Sequence, residues 1–102
     1  MLMQFSTFPV GAGDHLSAEV SQVIAAVEQS GLPYTLSAMS TVVEGEWDEL
    51  MALAKRCHLL LRAANARVYT VISIDDRHDA RDRLHGKVRS IEEKLGRTLS
   101  TS

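Results

Sequence analysis

The apolar residues of segment 37–57, SAMSTVVEGEWDELMALAKRC, change their spacing at Gly45, and that change restricts the fold more than any other feature of the chain. Before Gly45, Leu36, Ala38 and Val42 share one parity, and Ser37, Met39, Thr41 and Val43 share the other. A period of two belongs to a strand with two different faces. After Gly45, Trp47, Leu50, Met51, Ala54, Cys57 and Leu61 follow the one-face spacing of an α-helix. Glu46, Asp48 and Glu49 fall in its first turn, at the positive end of the helix dipole, with Lys55, Arg56 and His58 further on. The stretch predicts a strand pair running through Gly45 into a helix, with any binding site near that junction. Trp47, in phase with the stripe, is expected to anchor the core.

The 102 residues are enough for one domain with its own core, and an apolar share of 45% is ordinary for a globular chain. No apolar run approaches the roughly 18 residues that cross a bilayer, and the N-terminus lacks a basic segment ahead of an apolar one. A cytoplasmic protein without a membrane partner is expected. The single cysteine, Cys57, excludes an internal disulfide and lies on the apolar stripe, where a packed thiol is expected.

The net charge of −2 is unevenly spread: residues 1–54 carry seven acids and no Lys or Arg, and the two parts of the chain carry −7 and +5. All eleven basic residues lie between Lys55 and Arg97, interleaved with six acids. With few aromatic residues as well, a nucleic-acid partner is not expected. Solvated helix faces explain the pattern. So do oppositely charged patches meeting in an oligomer, or an acidic pocket for a cationic ligand.

Residues 1–9 read as a first strand, with Met3, Phe5 and Thr7 on one face and Leu2, Gln4, Ser6 and Phe8 on the other. Pro9 and the following VGAG stop it. Asp14 or Ser17 is placed to cap a helix with the stripe Leu16, Val20, Val23, Ile24 and Val27, ended by Gly31 and Pro33. Two short strands, 34–39 and 41–44, join near Ser40, and the second helix spans 47–64. Asn65 and Ala66 turn the chain into a fourth strand, 67–75, with Val68, Thr70, Ile72 and Ile74 facing one way and Tyr69, Val71 and Ser73 the other. A charged loop leads to a third helix bearing Leu84, Val88, Ile91 and Leu95 and ending at Gly96. Residues 1–96 are expected to form one domain, and 97–102 a polar, frayed tail.

This order gives two right-handed βαβ crossovers and an α+β, ferredoxin-like βαββαβ(α) fold: a four-stranded antiparallel sheet with helices on one face. The strands are apolar on both parities, whereas an uncovered face is normally polar. The third helix could cover part of that face, but a second copy is the better candidate.

His15, His58, His78 and His85 show no paired metal-ligand spacing, so surface or capping roles are expected and no metal or other cofactor is implied. The acids beginning the second helix are explained by its dipole, and Asp75, Asp76 and Arg77 by a charged turn. Gly11 and Gly13 do not make a phosphate-binding loop, and no nucleophilic triad has a local signature. Ser6, Ser37, Met39, Thr41 and Ser73 put small polar or adaptable side chains on strand faces that are otherwise apolar. That is either a wet sheet face or a small-molecule site.

FSxxP at 5–9, MxTVxEGEWDE at 39–49, KxCH at 55–58 and IDDRxD at 74–79 resemble the YkoF-like thiamine-binding proteins, in the same order over most of the chain. The resemblance implies a ferredoxin-like fold, dimers and tetramers assembled through the sheets, and non-catalytic binding of thiamine or its hydroxymethylpyrimidine part. It implies ligand contacts from Ser6 and Thr41 to the pyrimidine, with Ser37 and Met39 nearby and Phe5, Met39 or Trp47 as a flat wall. Glu46 would supply charge complementarity, or else cap its helix. Two other classes share the fold pattern: a small dimeric enzyme of the α/β-barrel oxygenase type, and a structural or regulatory oligomer that binds no small molecule.

Overall fold

The computed structural model describes residues 1–11, 16–37 and 39–78. Within them the order is β1 (Leu2–Pro9), α1 (Leu16–Gln29), β2 (Tyr34–Leu36), β3 (Thr41–Glu44), α2 (Trp47–Ala64) and β4 (Val68–Asp75). The expected third helix, the Gly96 stop and the polar tail lie outside the described residues, as do Asp14, His15, Ala38 and His85. Ser17 falls inside the first turn of α1 rather than before it.

The four strands form one antiparallel sheet in the order β2-β3-β1-β4. This is the ferredoxin-like arrangement the element order predicts. β1 is central and pairs along its whole length with β4, from Leu2 opposite Asp75 to Pro9 opposite Val68. With β3 it pairs only from Leu2 opposite Glu44 to Phe5 opposite Thr41. Directly opposed residues share a face, so Met3, Phe5, Thr7, Thr41, Val43, Thr70, Ile72 and Ile74 form the inner face. Gln4, Ser6, Phe8, Val42, Tyr69, Val71 and Ser73 form the outer one.

Both helices lie on the inner face. Met3, Phe5 and Val43 from the sheet pack with Ala26 and Val27 of α1 and with Leu50, Leu53, Ala54 and Cys57 of α2. Each of the larger side chains contributes about 1.5–3 kcal/mol by leaving water. α2 rests on β1 and β4, whereas α1 leans mainly on α2. Gly31 takes a φ of 73° just after α1, the left-handed conformation that ends a helix and suits glycine.

Three expectations are corrected. Trp47 is 52% exposed rather than a core anchor. A helical side chain covers the turn before its own Cα, and Trp47 is the first residue of α2, so it projects past the helix end. Leu53 is buried in its place, and Met51 is only partly buried. Strand β2 stops at Leu36 instead of running to residue 39, because the Ser37 hydroxyl organises a turn. It accepts from the backbone N–H groups of Met39 (3.3 Å) and Ser40 (3.2 Å) and donates to the Ser40 carbonyl (3.0 Å). Finally, of the described stripe residues Val20, Val23, Ile24 and Val27 in α1, only Val27 is fully buried: Val20 is 47% exposed and Val23 and Ile24 are partly so.

The apolar outer face is present. Phe8, Tyr69 and Val71 are each about half exposed there, and the Phe8 and Tyr69 rings lie 5.6 Å apart. Among the described residues no helix is long and apolar enough to cross a membrane.

Candidate functional site

The mismatch in strand length creates the site. β1 has eight residues and β3 four, so beyond Phe5 the β3-side edge of β1 is left without a strand. The alternation of backbone groups shows which atoms face that gap. Gly45 N–H donates to the Met1 carbonyl on the β3 side, and Val10 N–H donates to the Arg67 carbonyl on the β4 side. Odd-numbered residues of β1 therefore turn their N–H and C=O toward β3, and even-numbered ones toward β4. Met3 and Phe5 use theirs in the ladder. Thr7 comes next, and no described residue pairs with it there. Pro9 follows and has no N–H to leave unpaired.

A cleft of about 270 Å³ opens at this notch. Phe5 to Pro9 form one side, the turn from Ser37 through Met39 and Ser40 to Thr41 the other, and Val20, Val23 and Ile24 of α1 lie over it. α1, which packs mainly on α2, borders it rather than filling it. A second depression of about 230 Å³, on the outer face, is lined by Gln4, Ser6, Met39, Ser40, Val71 and Ser73. The two share Phe5, Ser6, Met39 and Ser40, so the notch connects the faces of the sheet around the end of β3. Gln4 Nε2 donates to Ser40 Oγ at 2.9 Å, tying the turn to β1. Met39, at the rim, is 87% exposed.

Of the five side chains implicated by sequence, Ser6, Ser37, Met39 and Thr41 line this cleft. By register Thr41 faces inward beside Phe5, while Ser6 faces outward. Their hydroxyls thus approach the notch from opposite faces. Glu46 stands apart, at the N-cap of α2, where its backbone N–H donates to the Glu49 carboxylate at 3.0 Å. It is level with Met1, six residues or roughly 20 Å along β1 from Thr7. The cleft consequently lies at the Thr41 end of β3, not at the Gly45 junction.

Behind the cleft the inner face carries a polar chain. Thr7 Oγ1 and Thr70 Oγ1 lie 2.7 Å apart, and Thr70 Oγ1 lies 2.7 Å from His58 Nδ1 of α2. His58 is thereby a partly buried, hydrogen-bonded residue rather than a surface or capping one. Thr7 and Thr70 are defining letters of no motif, whereas His58 closes KxCH. Their signal in the sequence is two threonines at inward parity on β1 and β4. Glu19 is one turn before Val23 on the core-facing side of α1, and its Oε2 is enclosed without a hydrogen-bond partner among the described residues. The described residues hold no group of three or more potential metal ligands.

The fold and the notch together define a ferredoxin-like α+β domain with a small cleft at an interrupted sheet edge. The chain belongs to the thiamine-binding protein family, whose profile matches residues 3–92. It is 38% identical over 96 residues to the UPF0045 protein Mb1933 of Mycobacterium bovis, covering 93% of this chain and 94% of that one. The structure resembles that of protein MJ1052 from Methanocaldococcus jannaschii, with a TM-score of 0.81, 29% identity, and coverage of 90% and 95% of the two chains. A domain of unknown function, DUF77, from Bacillus cereus superposes with a TM-score of 0.78 at 31% identity, covering 91% and 90%.

Proposed function

We propose that this protein binds thiamine or its hydroxymethylpyrimidine moiety in the notch cleft, without transforming it, as a cytoplasmic homo-oligomer. The observation that carries the reading is the coincidence, in a member of the thiamine-binding protein family, of Ser6, Ser37, Met39 and Thr41 around one cleft. Its volume of about 270 Å³ is at the small end for ligand sites, suited to one ring system and its substituents. Val20, Val23 and Ile24 offer a planar heterocycle an apolar wall. Among the described residues, the side chains lining the cleft include no nucleophile–base pair of the kind that turnover by covalent catalysis requires.

The exposed Phe8, Tyr69 and Val71 support self-association through the outer face, with a second copy as the occupant. Calorimetry with thiamine and with the pyrimidine tests the binding, and chromatography of the recovered ligand tests that it is unchanged. Thr41→Val keeps the shape of the side chain and removes one hydroxyl from the cleft. It is expected to weaken binding by roughly 0.5–1.5 kcal/mol while leaving the melting temperature nearly constant. Absence of heat at millimolar ligand would overturn the reading.

A further inference from the structure

We infer that the main chain of Thr7 is the recognition element of the cleft, reading a planar heterocycle that carries a ring-nitrogen acceptor next to an exocyclic amino donor. The inference rests on the binding function proposed above and specifies how the ligand is chosen. The ladder between β1 and β3 ends at the pair Phe5–Thr41. By the alternation set by the Met1–Gly45 and Val10–Arg67 bonds, the next N–H and C=O aimed into the gap are those of Thr7. Thr7 lines the cleft. A donor and an acceptor left in an apolar cleft favour a ligand that supplies both complements.

The length of the exposed edge decides between a ring and another strand. A peptide adding to a sheet uses successive rungs. Here the rung after Thr7 falls at Pro9, which has no N–H, so the edge offers one complete donor–acceptor pair. A single pair suits the edge of one heterocycle. The ring then lies in the plane of the sheet, where the fifth residue of β3 would have been. Val23 and Ile24 lie over one face of it, and Met39 is at its rim. A 4-aminopyrimidine has the required edge, its ring nitrogen accepting from Thr7 N–H and its amino group donating to Thr7 C=O. The 4-oxo analogue places an N–H donor where the ring acceptor was, and a carbonyl where the amino group was, so both bonds are opposed.

The inner-face chain holds this edge in place. Thr7 Oγ1 is fixed through Thr70 to His58, so β1 is tied to α2 at the residue whose N–H and C=O are both aimed into the cleft.

The test uses 4-amino-5-hydroxymethyl-2-methylpyrimidine and its 4-oxo analogue as probes, with calorimetry and with the Thr7 amide followed by ¹⁵N NMR. The amino compound is expected to bind with a large shift of the Thr7 amide, and the 4-oxo compound roughly tenfold or more weakly. Thr7→Pro removes the N–H aimed into the cleft, which makes no ladder bond, together with the Thr7 hydroxyl, and its affinity is expected to fall about tenfold below that of Thr7→Val, which lacks the hydroxyl alone. Thr7→Val keeps the N–H and is expected to prefer the amino compound over the 4-oxo compound, as the parent does. Heat of binding without a Thr7 amide shift, or equal affinity for the two probes, would overturn the edge recognition and leave the binding function standing. Absence of heat with either probe would overturn both. Should Thr7→Pro fail to fold, the comparison of the two probes on the parent protein still decides the matter.

Discussion

His58 Nδ1 of α2 lies 2.7 Å from Thr70 Oγ1 of β4, and that hydroxyl is 2.7 Å from Thr7 Oγ1 on β1. One threonine thus joins the helix layer to the central strand at the level of the cleft. Thr70→Val preserves shape and deletes the bridging oxygen, leaving a partly buried imidazole and the Thr7 hydroxyl short of a partner. A loss of about 1–3 kcal/mol is expected in urea unfolding, with an unchanged m-value. A smaller loss would mean that solvent satisfies both groups.

Trp47 is half exposed at the start of α2. Large costs from aromatic truncation come from buried rings, so Trp47→Ala is expected to destabilise by no more than about 1 kcal/mol. Its fluorescence in the native protein should already lie near the emission of a solvated indole. A cost near 3 kcal/mol would show that the ring is covered in solution, as by a second copy.

How much of this was legible in the sequence depends on whether a feature is local. The bounds of α2 and the stop at Gly31 follow from periodicity and capping, which a short window contains. The four-stranded sheet follows from element order and handedness. Trp47 misleads because helical phase names a face without saying where the helix overruns the sheet beneath it. Ser37 ends β2 through its own side-chain hydrogen bonds, which a period of two does not reveal. The notch was the least visible feature, since it comes from the unequal lengths of β1 and β3 once paired. Ser6, Ser37, Met39 and Thr41 were recognisable as unusual strand residues. Their convergence, the separation of Glu46, and the Thr7–Thr70–His58 chain are tertiary facts.

Val71 faces outward beside Ser6 and is 45% exposed. Val71→Glu adds a charge to the apolar outer face without touching the intramolecular core. In the proposed oligomer the charge would have to be desolvated, so dissociation is expected with helical circular dichroism unchanged. Light scattering at micromolar concentration checks it. A parent protein that is already monomeric would remove the outer face as a self-association surface.

Cys57 is fully buried among Leu50, Leu53 and Ala54. Burial pushes its thiol up to about 11 from an ordinary value of 9.0, with the Arg56 guanidinium pulling weakly the other way. The thiol is therefore neutral and shielded at neutral pH, and slow alkylation of the native protein is expected. The same shift links stability to alkaline pH. Between about 9 and about 11 the unfolded chain has lost the thiol proton and the folded chain still holds it. With more protons bound in the native state, stability falls as pH rises. The contribution is complete below about 9 and gone above about 11. Other ionising groups add their own slopes, so the informative measurement is the difference between the parent and Cys57→Ala. Urea midpoints for the two are expected to run parallel from pH 6 to 8.5 and to converge as pH rises further. Curves that stay parallel to pH 10.5 would show that the folded protein ionises Cys57 as readily as the unfolded chain does.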